Sequence, residues 1–146
     1  MLLVKQSNIE SHLTGMASLN DCLETGKCSF IDLFMNMIRF RCYRIGISAD
    51  IEKAFLMVGL KEEDRDLFRF LISKNPDDLD DPEPRRMRFA RVTFGAVCSM
   101  AMLDNVIRYH LLSVKEQYAV AVLIILLSLY VDDFSAGEYE YEYEYE

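Results

Sequence analysis

The feature that most constrains the fold is an apolar run from Ala119 to Val131, thirteen residues interrupted only by Ser128 and ended by Asp132 and Asp133. A membrane-spanning helix needs roughly 20 apolar residues, so the run is too short to cross a bilayer. It reads as core: a buried strand over Leu123–Val131, preceded by a helix end. A run of this kind needs neighbours with matching apolar faces. A chain of 146 residues, 51% hydrophobic and 27% charged, supplies them for one modest domain or a piece of a larger one. The first apolar stretch ends at Val4, so no cleavable signal peptide is expected.

Residues 1 to about 17 show no clear period. Ser29 and Asp32 have capping-box spacing, in which each side chain satisfies a backbone N–H left over at a helix start. The stripe Phe30, Leu33, Phe34, Met37 and Ile38 then predicts a helix over 29–40, with Asn36 and Arg39 off the stripe. From Tyr43 to Ile51 the period becomes two. Ile45, Ile47 and Ala49 take a packed face; Gly46, Ser48 and Asp50 take the other, leaving open space beside Asp50. Lys61–Asp66 is a short solvated helical turn. Leu67–Ile72 and Met87–Val92 are strands of a hairpin, joined by a loop over Ser73–Arg86 that holds all three prolines and five acids. Counted from Asp77, that loop has Pro82 and Arg88 where a calcium loop needs Gly and Glu, so it reads as a solvated loop. A second helix is predicted over 99–112, with Met102, Val106, Tyr109 and Leu112 along one face. Asp132 and Asp133 mark a turn, and Phe134–Ala136 starts a return strand. These elements define an α+β fold: an antiparallel sheet with helices packed on one face.

The formal charge of -8 argues at first against a nucleic-acid partner. The total hides two local clusters. Glu138–Glu146 alternates Glu and Tyr and carries five carboxylates; without them sixteen basic residues face nineteen acidic ones. Setting aside Asp77, Asp78, Asp80, Asp81 and Glu83 as well leaves fourteen acids and a balance of +2. The four cysteines and two histidines have no zinc-ligand spacing, and reduced thiols inside a cell are the expectation.

Asp50 at a strand end and Asp132–Asp133 after the apolar run are carboxylates beside a core. Such groups are costly unless something positive neutralises them. A divalent cation is one solution, since magnesium takes oxygen ligands and works with few carboxylates plus substrate phosphates. Ordinary turn chemistry also accounts for an Asp-Asp pair.

Three blocks, in order, resemble the reverse-transcriptase palm: Ala49-Asp50-Ile51-Glu52-Lys53-Ala54-Phe55, Arg91-Val92-Thr93-Phe94-Gly95-Ala96-Val97-Cys98-Ser99, and Tyr130-Val131-Asp132-Asp133. The connecting text, including Ser18-Leu19-Asn20-Asp21-Cys22-Leu23, Arg39-Phe40-Arg41 and Leu60-Lys61-Glu62-Glu63-Asp64-Arg65-Asp66, is similar to that of BEL/Pao-type LTR retrotransposon polyproteins. The resemblance spans residues 18–137 and implies a partial palm-and-fingers domain without a thumb. Residues 1–17 precede it and 138–146 form a low-complexity tail.

The resemblance implies RNA-directed DNA polymerisation, with Asp50, Asp132 and Asp133 as catalytic carboxylates. They would hold two magnesium ions, or manganese in their place, with the Ile51 carbonyl assisting. Phe55 would be the gate against a ribonucleotide 2′-hydroxyl. Phe94 and Gly95 would meet the incoming nucleotide, and Tyr130 and Val131 the primer end. Partners would be an RNA or DNA template-primer, a deoxynucleoside triphosphate and the rest of the polyprotein, in a cytoplasmic retrotransposon particle and with no membrane.

The sequence departs from the family's pattern at Thr93 and Met100, where the family has Pro. The basic fingers block, primer grip and thumb have no counterpart. The expectation is therefore activity only within a longer polyprotein, with little processive synthesis by this chain. The alternative is a non-catalytic relic acting at most as a binding module.

Overall fold

The computed structural model describes residues 17–73 and 85–138. The fold is mixed α and β, with two antiparallel sheets and five α-helices among the described residues. The chain divides into two compact units. One comprises Met1–Gly26 and Phe55–Met102, the other Lys27–Ala54 and Leu103–Glu146.

In the first unit, α1 (Leu19–Cys22) opens on a capping box: Ser18 Oγ accepts from the Asp21 N–H, and the Asp21 carboxylate accepts from the Ser18 N–H at 2.8 Å. A short helix, α3 (Ala54–Met57), leads to a 3-10 turn over Glu62–Leu67. Next come β2 (Arg69–Ile72) and β3 (Arg85–Arg88), paired antiparallel with Arg69 opposite Arg88. The expected hairpin is present, but its second strand is Arg85–Arg88 in place of Met87–Val92: Arg85 and Arg86, expected in the loop, continue the ladder, and it ends at Arg88 opposite Arg69. The acids between Asp77 and Glu83, weighed above as a calcium loop, lie outside the described residues. Asp66 bridges the opposed arginines, at 3.2 Å from Arg69 and 3.4 Å from Arg88, and Glu62 takes Arg88 at 2.8 Å. The core of this unit is built from Cys22, Leu23, Phe55, Val58, Leu60, Phe68, Val92 and Cys98.

The second unit holds α2 (Leu33–Arg41), β1 (Ile45–Asp50), α5 (Ala119–Ser128), β4 (Leu129–Tyr130) and β5 (Asp133–Glu138). The long α4 (Ser99–Val114) runs across the division of the chain. The sheet order is β1-β5-β4, all antiparallel.

Four expectations are corrected here. The run Leu123–Val131 is not a strand. Residues 119–128 form a helix, and only Leu129 and Tyr130 pair as a strand. A continuous apolar run has no period to separate helix from strand, and α5 buries only Val122 and Ser128 while Val120, Leu123, Ile124 and Leu127 stay exposed. The first long helix starts at Leu33 and is capped by Asp32, whose carboxylate accepts from the Met35 N–H at 2.9 Å; Ser29 lies outside it. Its apolar stripe is exposed, Phe34 at 69%, and its buried residue is Asn36, which donates to the Ser128 carbonyl at 3.3 Å. The same inversion holds in α4, where Val106, Tyr109 and Leu112 are exposed while Ala101, Leu103, Asp104 and Leu111 are buried.

The helices also do not share one sheet face. Phe40 of α2 meets the sheet from the Gly46 side, and α5 flanks Ile47 and Ala136 on the other side. There Ile47, Ile51, Ile124, Ile125 and Phe134 line an apolar groove of about 680 Å³.

Candidate functional site

Side chains alternate faces along a strand, so the β1–β5 register sorts the sheet into two lanes. One lane pairs like with like: Gly46 with Gly137, Ser48 with Ser135, and Asp50 with Asp133. It is a small-residue lane leading to two opposed carboxylates. The Ile51 N–H donates to the Asp132 carbonyl at 3.0 Å, which makes those two a hydrogen-bonded pair. Asp50 and Asp133 are therefore a non-hydrogen-bonded pair, the arrangement in which facing side chains stand closest. Like charges so placed repel, at a cost of a few tenths of a kcal/mol to about 1. Both are exposed and Asp132 is half-buried.

The open space expected beside Gly46 is filled. A Cβ there would stand 2.8 Å from the Phe40 ring, and one on Gly137 would meet Tyr43 at 2.6 Å. The lane is closed at its glycine end and open only toward Ser48 and the carboxylates.

Val131 and Asp132 form the two-residue turn between β4 and β5, with Tyr130 opposite Asp133. Val131 has φ 60° and Asp132 is not in the positive-φ region, the pattern of a type II′ turn, whose first central position favours Gly. A β-branched residue there is an outlier, and strain of this kind costs about 1–3 kcal/mol. Val131 is held in place by burial, and Tyr130 by its ring against Phe30, centroids 6.4 Å apart. On the β1 side, the Ile51 carbonyl accepts from the Ala54 N–H at 3.1 Å, and Lys53 turns the chain at φ 54°.

Among the described residues, no three His, Cys, Asp or Glu side chains converge closely enough to hold a metal ion. Backbone register brings the three carboxylates to one end of the sheet: Asp50 and Asp133 face each other, and Asp132 stands in the turn beside them. Their oxygen-only donor set suits a hard cation such as magnesium.

In the first unit, Phe55 is buried and packs against Phe94 with the rings tilted by 54° and centroids 4.6 Å apart, while Phe94 itself is 75% exposed. Gly95 has φ 90° with open space where a side chain would stand. Its loop is pinned by Asn20, which donates to the Gly95 carbonyl at 2.8 Å and accepts from the Val97 N–H at 3.1 Å. Ser99 anchors the following helix by donating to the Thr93 carbonyl at 2.6 Å. Arg91 donates to the Met57 carbonyl at 3.4 Å, a structural contact.

No protein-family model matches the chain, and no curated protein matches it either. No helix of the described residues is long and apolar enough to cross a membrane.

Sequence reasoning missed three positioning residues. Asn20 has no local signature, because its partner Gly95 lies 75 residues away. Ser135 and Gly137 emerge only once register is known, although their alternation with Asp133 repeats that of Gly46, Ser48 and Asp50 and could have signalled the pairing.

Proposed function

We propose that this chain is the palm-and-fingers portion of a reverse transcriptase from a BEL/Pao-type retrotransposon, carrying out RNA-directed DNA polymerisation as part of a longer polyprotein. The observation that carries the reading is the facing of Asp50 and Asp133 at the open end of a lane of glycines and serines, beside a strained turn that holds Asp132. The order of the three blocks along the chain supports the same reading independently.

Asp50, Asp132 and Asp133 would hold two divalent cations, magnesium or manganese. Bound there, such ions supply activation of a primer hydroxyl and neutralisation of the leaving pyrophosphate. The chain's own contribution is positional. The Ile51–Asp132 hydrogen bond fixes the height of Asp50 against the turn. The serine end of the lane, beyond the glycines that Phe40 and Tyr43 cover, leaves room for a primer end beside the carboxylates, with Tyr130 and Val131 next to it. In the other unit, Phe55 backed by Phe94 is the gate against a 2′-hydroxyl, and Gly95 lets backbone approach a nucleotide. Positioning and electrostatics dominate phosphoryl-type transfer. The partners follow from the chemistry: template-primer, deoxynucleoside triphosphate and the remaining polyprotein, in a cytoplasmic particle.

A second reading, a non-catalytic relic acting as a binding module, draws support from two packing features. Phe40 occupies the glycine end of the lane, and Phe55 is covered by Phe94.

Purified chain tested for magnesium-dependent primer extension on an RNA template, beside Asp132→Asn, separates the two. Short extension products lost in the variant support the polymerase reading. Magnesium binding by calorimetry that is unchanged in an Asp50→Asn/Asp132→Asn double variant rules it out.

A further inference from the structure

The last carbonyls of a helix have no partner within it, and in α5 two of them are taken by side chains of α2. Asn36 donates from Nδ2 to the Ser128 carbonyl at 3.3 Å, and Arg39 donates to the Leu127 carbonyl at 2.8 Å. A cation at that end also suits the helix dipole. Only Leu129 and Tyr130 separate these anchors from the Val131–Asp132 turn. Two further contacts come from the same stretch of chain. Phe30, just ahead of α2, sets its ring 6.4 Å from that of Tyr130, and Phe40 covers Gly46 in β1, the strand that ends on Asp50. The α2 segment therefore grips both the strand that carries Asp50 and the segment that leads to Asp132.

Apolar packing alone does not fix α5. Its residues are Ala, Val, Leu, Ile and Ser, and only Val122 and Ser128 are buried. A helix that is apolar on every side has no stripe to select its rotation, whereas hydrogen bonds are directional. Asn36 itself is 4% exposed, and its Oδ1 has no partner among the described residues. A buried acceptor left unpaired costs stability, so what Asn36 contributes is direction.

We propose that Asn36 and Arg39 are positioning residues: by holding the end of α5 they set the height of the turn bearing Asp132 and Asp133 against Asp50. Their link to metal chemistry rests on the carboxylate reading above; their link to the turn does not. The Ile51 N–H, which donates to the Asp132 carbonyl, reports the turn directly. Amide hydrogen exchange of the full chain, run in EDTA, compares Ile51 with Ile47, whose N–H faces β5 farther along the same ladder. In Asn36→Leu and in Arg39→Met, Ile51 is expected to exchange about tenfold faster while Ile47 keeps its protection. Arg39→Lys, which retains a donor and the charge, should restore Ile51. A purely structural role would move both amides together. Unchanged protection of Ile51 in Arg39→Met overturns the proposal, and so does an equal loss at Ile47 or an Arg39→Lys chain that behaves like Arg39→Met. Calorimetry tests the metal link: Arg39→Met should bind magnesium about tenfold more weakly than the parent. Equal affinity overturns the positioning of the carboxylates. A parent that takes no magnesium overturns the carboxylate reading instead, and the exchange comparison then decides the role of α2 by itself.

Discussion

Val131 is the residue at which local preference and structure conflict most openly. Its φ of 60° asks for glycine, and its burial asks for an apolar side chain. The two demands can be separated by substitution. Val131→Ala keeps a Cβ in a strained backbone and loses packing; Val131→Gly loses packing but releases the strain. Urea unfolding should find the glycine variant more stable than the alanine variant by about 1 kcal/mol, the reverse of the ordinary order. Cys98 offers a second test. Burial pushes its thiol above its ordinary range, with a backbone hydrogen bond acting weakly the other way. The folded chain therefore keeps this proton at a pH where the unfolded chain has lost it. Stability contributed by the buried thiol is full below the ordinary thiol range and falls as pH rises through it. A Cys98→Ala variant should show a flatter loss of stability on the alkaline side. Iodoacetamide at neutral pH should label Cys28 and Cys42, which are exposed, well before Cys22 and Cys98, which are buried.

At the scale of elements, what was legible in the sequence depended on whether a period was present. β1 announced itself by strict alternation, although none of its residues is buried; the β2–β3 hairpin was signalled by its Pro-rich loop, but its second strand is Arg85–Arg88, with one apolar residue, and not the run Met87–Val92. α5 did not, because ten residues of Ala, Val, Leu, Ile and Ser present the same apolar character on every side. The faces of α2 and α4 were misread for a different reason. Periodicity finds a stripe but not what lies against it, and polar Asn36 and Asp104 are the buried residues. Asp104 is 2% exposed, accepts from the Ser29 N–H at 2.6 Å and from Arg108 at 2.7 Å, and so ties the start of the segment leading to α2 onto α4. Replacing a buried acceptor of charged hydrogen bonds costs about 1.5–3 kcal/mol, so Asp104→Ala should lower the urea midpoint markedly. Asp32→Ala should cost about 1 kcal/mol, whereas Ser29→Ala should be nearly neutral, since Asp32 is the cap.

At the scale of the molecule, the carboxylates of the proposed site can be tested through stability alone. Asp50→Asn removes a like-charge opposition, so without divalent cations it should raise the midpoint slightly. Magnesium should raise the melting temperature of the parent chain by mass action on the folded state and leave Asp50→Asn unmoved; a thermal scan with and without the ion reads both. The three carboxylates stood out in the sequence as charges expected beside a core, whereas Asp50 and Asp133 are exposed and only Asp132 is half-buried. Their mutual geometry was not visible there, since no local rule pairs Asp50 with Asp133 across so much intervening chain.

That pairing has a kinetic consequence. The β4–β5 turn closes a loop of two residues, while β1 must find β5 from the far side of α3, the β2–β3 hairpin, α4 and α5. Contacts distant in sequence carry the larger closure entropy and form late. The Val131–Asp132 turn, with Asp133 beside it, therefore closes at little entropic cost, while bringing Asp50 to it requires closing a loop of roughly eighty residues. A nascent or partly unfolded chain would hold half of the constellation and none of its function, so the proposed chemistry would be gated by completion of the fold itself.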